Sequence, residues 1–285
     1  MKKYLSLVLF AHTIFAMPFA FIGFFLAVTT TDQTFSWMKL VFMILCMVFA
    51  RNSAMAFNRY LDRDFDAENP RTKVRDIPAG RIPAKNALIF TLINCVLFIF
   101  TTYFINPLCF YLSPVALAVV LGYSFTKRFT PLCHLILGIG LGLAPIGAYL
   151  VVTGEFALLP IFFSLAVVCW VSGFDIIYAL QDDEFDRNKK LYSIPAALGR
   201  KNALLVSSLL HVLCVVFVML PLFYGNSGLG WFYITGIVFF IGLLIYQHRL
   251  VKPDDLSRVN LAFGTTNGIA SVVFAVFFLL DIYFR

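Results

Sequence analysis

Charge is what this sequence has least of. Asp, Glu, Lys and Arg make up 13% of 285 residues against 61% hydrophobic residues, and the mean hydropathy is +0.88. Water-soluble domains run at about 25% charged and about 45–50% apolar, so the composition excludes an ordinary globular fold and calls for a hydrocarbon solvent. Histidine is scarce, at 4 residues. The 6 cysteines, Cys46, Cys95, Cys109, Cys133, Cys169 and Cys214, stand singly in apolar stretches with no CxxC pair and no His at ligand spacing. They read as small core residues and supply neither a disulfide framework nor a metal centre. A phosphate-binding glycine loop is missing too: GIGLGLAPIG, Gly138 to Gly147, follows no strand and lacks the lysine, which leaves close helix packing as its role. The net charge of +7 gathers in no basic domain, so nucleic acid is not an expected partner.

What is present is a series of long apolar runs. A spanning helix needs about 20 such residues, and nine candidates are found: 5–28, 38–57, 87–105, 108–125, 132–152, 157–180, 203–223, 230–247 and 260–282. Met1 to Ala20 has the outline of a signal peptide, but the run continues to Val28 and further spans follow, so a retained first helix is expected. With the N-terminus in the cytoplasm, nineteen of the 22 Lys and Arg fall on the cytoplasmic side, Lys39 and Arg285 lie outside, and Arg51 lies within a span. That bias predicts a multi-pass protein of the cell inner membrane, all-α, with its C-terminus on the opposite side. No soluble segment is left over, so residues 1–285 are expected to form one domain.

Two acidic stretches organise the chain. In NRYLDRDFD, Asn58, Asp62 and Asp66 are spaced i, i+4 and i+8, which in a helix sets them along one face. In YALQDDEFD, Tyr178, Asp182 and Asp186 repeat the spacing. Each stretch is followed by an Ile-Pro-Ala and then a Lys-Asn-Ala tripeptide, at residues 77–79 and 85–87 and again at 194–196 and 201–203. The pattern predicts a duplicated helical bundle whose acidic motifs meet across a pseudo-two-fold axis. Charges gathered at a membrane need compensation, and a donor set of oxygens without His or Cys selects a hard cation. Magnesium, held by a few carboxylates and by the phosphate oxygens of a diphosphate, is the expected ligand.

Asp64, Asp183 and Glu184 point off the rows and read as solvated charges pairing with Arg63, Arg187 or Lys189. Lys127 and Arg128, in YSFTKRFT, suit phosphate recognition and equally suit membrane anchoring. Arg71, Lys73, Arg75 and Arg81 are placed to close over the site. Arg51 precedes Asn58 by seven residues and Asp175 precedes Asp182 by seven, so each shares a face with its row about two turns deeper. They either pair with each other or line an acceptor pocket. His12 reads equally as a pocket or a core group, and His134, His211 and His248 have no partner at useful spacing.

The motifs HTIFAMPFAF, RNSAMAFNRYLDRDFDAENPRT, IPAGRI, YSFTKRFT and GFDIIYALQDDEFDRN resemble those of the UbiA superfamily of intramembrane aromatic prenyltransferases, over essentially the whole chain. Arg59 stands where that family often has Asp, which resembles the branches acting on hydroxybenzoate or a carboxylated dihydroxynaphthalene. The resemblance implies transfer of a polyprenyl group from its diphosphate to an aromatic acid. 4-Hydroxybenzoate, in ubiquinone biosynthesis, is the first expectation, and a dihydroxynaphthoate, in menaquinone biosynthesis, the alternative. It implies that Asn58, Asp62, Asp66, Asp182 and Asp186 position Mg2+ and diphosphate, that Lys127 and Tyr123 help hold the phosphates, and that Arg51 and Asp175 lie near the acceptor. Arg128 and Tyr178 complete the candidate substrate contacts, with Asp62, Asp66, Asp182, Asp186 and Asp175 as the catalytic group. The expected partners are these substrates and the lipid bilayer, with no obligatory protein partner. A secondary transporter is the rival class; its carboxylates would lie at the membrane midplane, reachable from both sides.

Overall fold

A backbone in hydrocarbon must satisfy its own N–H and C=O groups, and over apolar runs of this length the helix is the structure that does so. The computed structural model describes Leu7 and residues 15–224 and 228–284. Among the described residues eleven α-helices carry the fold: α1 Met17–Thr30, α2 Trp37–Leu61, α3 Arg63–Glu68, α4 Ala84–Tyr103, α5 Pro107–Thr126, α6 Cys133–Thr153, α7 Leu158–Ala179, α8 Asp183–Asn188, α9 Ile194–Met219, α10 Trp231–Leu250 and α11 Asn267–Tyr283. Among the described residues no strand forms beyond one bridge, Lys252 to Asp255.

Among the described residues eight segments are long and apolar enough to span a membrane, and α1 is a shorter apolar helix, so the chain is a multi-pass helical membrane protein. Each of the nine expected runs meets one of these. The first is described from Phe15 onward and at Leu7, and His12 lies outside the described residues.

Local chemistry sets the helix ends. Asn106 accepts the Cys109 N–H at 2.8 Å ahead of Pro107, and Ser193 accepts the Ala196 N–H at 3.3 Å ahead of α9. α6 stops at Gly154, whose φ of 70° is the left-handed conformation that suits glycine.

The element order repeats. α2, α3 and α4 correspond to α7, α8 and α9: a long helix, a break, a six-residue helix, a turn and a second long helix. α4 packs broadly on α2, and α9 on α7. The core beside them is aromatic, with Phe19, Trp170, Phe174, Phe240, Phe274 and Phe278 almost fully buried.

The glycine run has the packing role expected of it where α6 meets α7. A Cβ on Gly138 would strike Ser172 Oγ and the Val168 carbonyl, and one on Gly142 would lie 2.7 Å from Val168 Cγ2. Gly138→Val therefore forces the helices apart. Overpacking of this kind costs about 1–3 kcal/mol, and thermal unfolding of the detergent-solubilised variant should register it as a lowered Tm.

Candidate active site

Both acidic motifs lie where a long helix breaks. α2 ends at Leu61, and Asp62 leaves it at φ −90°, ψ 3° before α3 begins. α7 ends at Ala179, a 3-10 turn covers Leu180–Asp182, and Asp182 has φ −112°, ψ 4° before α8. Matching bridge-region conformations at equivalent aspartates are structural evidence of the duplication, in a region where many active-site residues sit. They also correct the expected uninterrupted helical rows. Aspartate is a poor helix-interior residue, and each break falls where the apolar run ends. The first row keeps its phase because the Asp62 N–H bonds the Asn58 carbonyl at 2.9 Å and the Asp66 N–H bonds the Asp62 carbonyl at 2.8 Å.

The motifs converge on one cavity of ≈ 220 Å³. Asn58, Asp62, Asp66, Tyr123, Lys127, Asp175, Tyr178, Asp182 and Asp186 line it, together with Asn69, Arg71, Arg75, His134 and Ser193. Two of the candidate catalytic and substrate-contact residues are not among the lining residues. Arg51 is half-buried on α2, and Arg128 sits behind the wall, bonding Asp62 Oδ1 at 2.9 Å and the Ser124 carbonyl at 2.8 Å.

The carboxylates are compensated by side chains. Lys127 Nζ lies 2.8 Å from Asp62 Oδ2, Arg75 Nη1 lies 2.6 Å from Asp66 Oδ1, and Arg71 grips Asp182 with Nε and Nη2. Of the four basic loop residues expected to close over the site, Arg71 and Arg75 line it, whereas Lys73 and Arg81 do not and Arg81 pairs with Asp76 at 2.6 Å. Asn69, not singled out from the sequence, donates to Asp182 Oδ1 at 2.9 Å. The loop after the first motif thus holds an aspartate of the second. Arg71 also lies over the Tyr178 ring at 5.0 Å, and Phe263 stacks on that same ring at 4.1 Å between centroids. Burial lowers the pKa of the Arg71 guanidinium, but its bonds and attraction to Asp182 and Tyr178 outweigh that and raise it. Arg71 stays charged.

Five cavity carboxylates meet Arg71, Arg75 and Lys127, with Arg128 behind the wall on Asp62, so basic side chains compensate most of the acidic charge. Asp66 Oδ2 is buried with no hydrogen-bond partner among the described residues. An orphaned carboxylate oxygen in a pocket of aspartates without a cysteine or histidine cluster is the chemistry that suits a hard divalent cation, and among the described residues the carboxylates are held apart by their basic partners, with no three gathered as a ready metal site.

Three expectations change. Asp183 is not a solvated charge: its side chain is 2% exposed and clasped by Arg200 at 2.9 and 3.0 Å and Arg187 at 2.9 Å. Asp64 and Glu184 are exposed as expected. His134 does have a partner, Asp175, with Nδ1 at 2.7 Å from Oδ2, and that carboxylate is bound by His134 instead of pairing with Arg51. His211 and His248 bond each other at 2.8 Å. Sequence spacing hides such pairs because 41 and 37 residues separate their members. Arg200→Ala leaves buried Asp183 with Arg187 alone. The cost expected for an under-satisfied buried acceptor is about 1–3 kcal/mol, read by chemical denaturation, while Asp64→Ala should leave the curve unmoved.

Comparison with known proteins gives a consistent picture. A model of the UbiA prenyltransferase family matches residues 16–279. The 4-hydroxybenzoate octaprenyltransferase of Vibrio parahaemolyticus is 28% identical over 84% of this chain and 83% of its own length. That of Alkalilimnicola ehrlichii is 29% identical over 86% and 82%. Among solved structures, the apo structure of a UbiA homolog from Aeropyrum pernix K1 superposes with a TM-score of 0.84 at 30% identity, covering 95% of this chain and 98% of that one. A UbiA homolog from Archaeoglobus fulgidus bound to GPP and Mg2+ shares the fold, with a TM-score of 0.76 at 21% identity over 98% and 99%.

Proposed function

The chain belongs to the UbiA prenyltransferase family, and from that footing we propose that it transfers a polyprenyl group from polyprenyl diphosphate to the ring of 4-hydroxybenzoate, as a single membrane domain with its acidic motifs at the cytoplasmic face of the inner membrane. The observation that carries the reading is the convergence of Asp62, Asp66, Asp182 and Asp186 on one cavity with Lys127 and Arg71. The acceptor follows the relatives named as 4-hydroxybenzoate octaprenyltransferases, and the orientation follows the charge bias.

Asp62, Asp66, Asp182 and Asp186 are the residues proposed to hold magnesium, with Asn58 beside them donating to Asp62 at 3.1 Å. Bound there, the metal neutralises the diphosphate and stabilises negative charge on the leaving oxygen. Lys127, Arg71 and Arg75 are within the same cavity and exchange carboxylate partners for phosphate oxygens as the diphosphate arrives. Tyr123 and Tyr178 flank the diphosphate in this reading. The prenyl C1–O bond breaks with its electron pair on oxygen, and the allylic cation is sheltered from water in an aromatic-rich bundle. A ring carbon activated by the acceptor hydroxyl supplies the pair for the new C–C bond, and loss of the ring proton restores aromaticity. Asp175 is assigned to the hydroxyl. Arg51, two turns below Asn58 on α2, is the cation proposed for the acceptor carboxylate.

Purified protein incubated with radiolabelled polyprenyl diphosphate, magnesium and a panel of aromatic acids is expected to label 4-hydroxybenzoate. Labelling of a dihydroxynaphthoate instead would move the acceptor while keeping the reaction, and no labelled acid at all would sink both.

A further inference from the structure

His134 sits in the second position of α6 and is 3% exposed, in a wall of the cavity that the sequence gives no reason to regard as special. Its two ring nitrogens have different partners. Nε2 lies 3.3 Å from the backbone nitrogen of Ile194, at the start of α9. A backbone N–H only donates, so Nε2 is the acceptor and the ring proton belongs on Nδ1. Nδ1 in turn is 2.7 Å from Asp175 Oδ2, and there it donates to a carboxylate. Asp175 Oδ1 has no hydrogen-bond partner among the described residues, and the side chain is 23% exposed on the cavity.

The surrounding packing holds the pair in register. Ser172, three residues before Asp175 on α7, donates to the His134 carbonyl at 3.1 Å. Gly138, one turn beyond His134, has no Cβ to keep α6 from closing on Ser172 and Val168. Ile194 comes from α9, so three helices converge on one imidazole. Groups locked by this many neighbours hold a functional side chain to within fractions of an ångström.

We propose that His134 is the positioning residue for Asp175: as an Nδ1–H donor it fixes Oδ2, so that Oδ1 accepts the hydrogen bond of the acceptor's hydroxyl. This rests on the prenyl-transfer reading above and adds to it the residue that orients the acceptor. His134 does not touch the diphosphate. Removing it changes how the aromatic ring is presented and leaves the other substrate bound as before.

The test is steady-state kinetics of wild type, His134→Leu, His134→Gln and Asp175→Asn in detergent, with 4-hydroxybenzoate and polyprenyl diphosphate varied separately. Losing a hydrogen bond to a charged group is expected to lower kcat with the aromatic acid roughly 10- to 100-fold in His134→Leu, with KM for polyprenyl diphosphate unchanged. His134→Gln, whose amide supplies both a donor and an acceptor, should recover most of the rate. Adding His134→Leu to Asp175→Asn should cost little more than Asp175→Asn alone, because the two act as a unit. An unimpaired His134→Leu, a loss shared equally by prenyl diphosphate binding, or fully multiplicative effects in the double variant would overturn the inference. If His134→Leu does not fold, His134→Gln decides: a loss as deep as that of Asp175→Asn refutes a positioning role that an amide can fill. Wild type that turns over no aromatic acid refutes the parent reading and this inference with it, whereas active wild type with indifferent His134 variants refutes this inference alone.

Discussion

Asn in place of either Asp62 or Asp182 is expected to lower kcat for prenyl transfer by roughly 10²–10³-fold, the scale on which single groups that stabilise transition-state charge act. The substitution preserves shape and removes one negative charge. The sign of its effect is informative. Asp62 is bonded by Lys127 and Arg128, and Asp182 by Arg71 and Asn69, so either change leaves the cavity more positive. If basic side chains alone held the diphosphate, each variant should bind it better. If the carboxylates act through a divalent cation, each should bind it worse despite the favourable change in net charge. Initial rates across a magnesium titration separate the two, with matched thermal unfolding showing that the variants fold.

Removing divalent cations is the second large effect. A chelator in excess should bring transfer to background, and added magnesium should restore it. Calcium, which prefers more ligands at longer distances, should restore it poorly. The buried, unpartnered Asp66 Oδ2 is the atom that makes this expectation specific to the chain. Transfer that persists in the chelator would assign the leaving-group charge to Arg71, Arg75 and Lys127.

Periodic features were legible in the sequence, and features of tertiary proximity were not. The membrane runs show as uninterrupted apolar stretches, and the acidic rows show because a spacing of four survives in the chain itself. The paired Ile-Pro-Ala and Lys-Asn-Ala tripeptides announced the duplication that the breaks at Asp62 and Asp182 now display in backbone angles. The breaks themselves were missed, since the same spacing serves a continuous helix and an interrupted one.

Asp183 was misjudged because its burial depends on Arg200, which lies beyond a turn and next to Gly199, whose φ of 76° lets α9 bend there. His134 was missed because Asp175 is 41 residues away and on another helix. Charge compensation was only half legible. Basic residues on the loop after the first motif were visible as candidates, but the grip of Arg71 on an aspartate 111 positions later is a property of the fold. That grip alters the expected electrostatics: side chains already compensate most of the acidic charge, and magnesium is called for by the orphaned oxygen and the incoming anion.

Whether both motifs take hold of one diphosphate through a metal is read most directly by equilibrium binding of a non-reactive prenyl diphosphate analogue to the purified protein, with and without magnesium. Wild type should bind it only when magnesium is present, and both Asp62→Asn and Asp182→Asn should lose that magnesium-dependent binding. Equal binding without magnesium, or loss in one variant while the other binds as wild type does, would contradict a shared site.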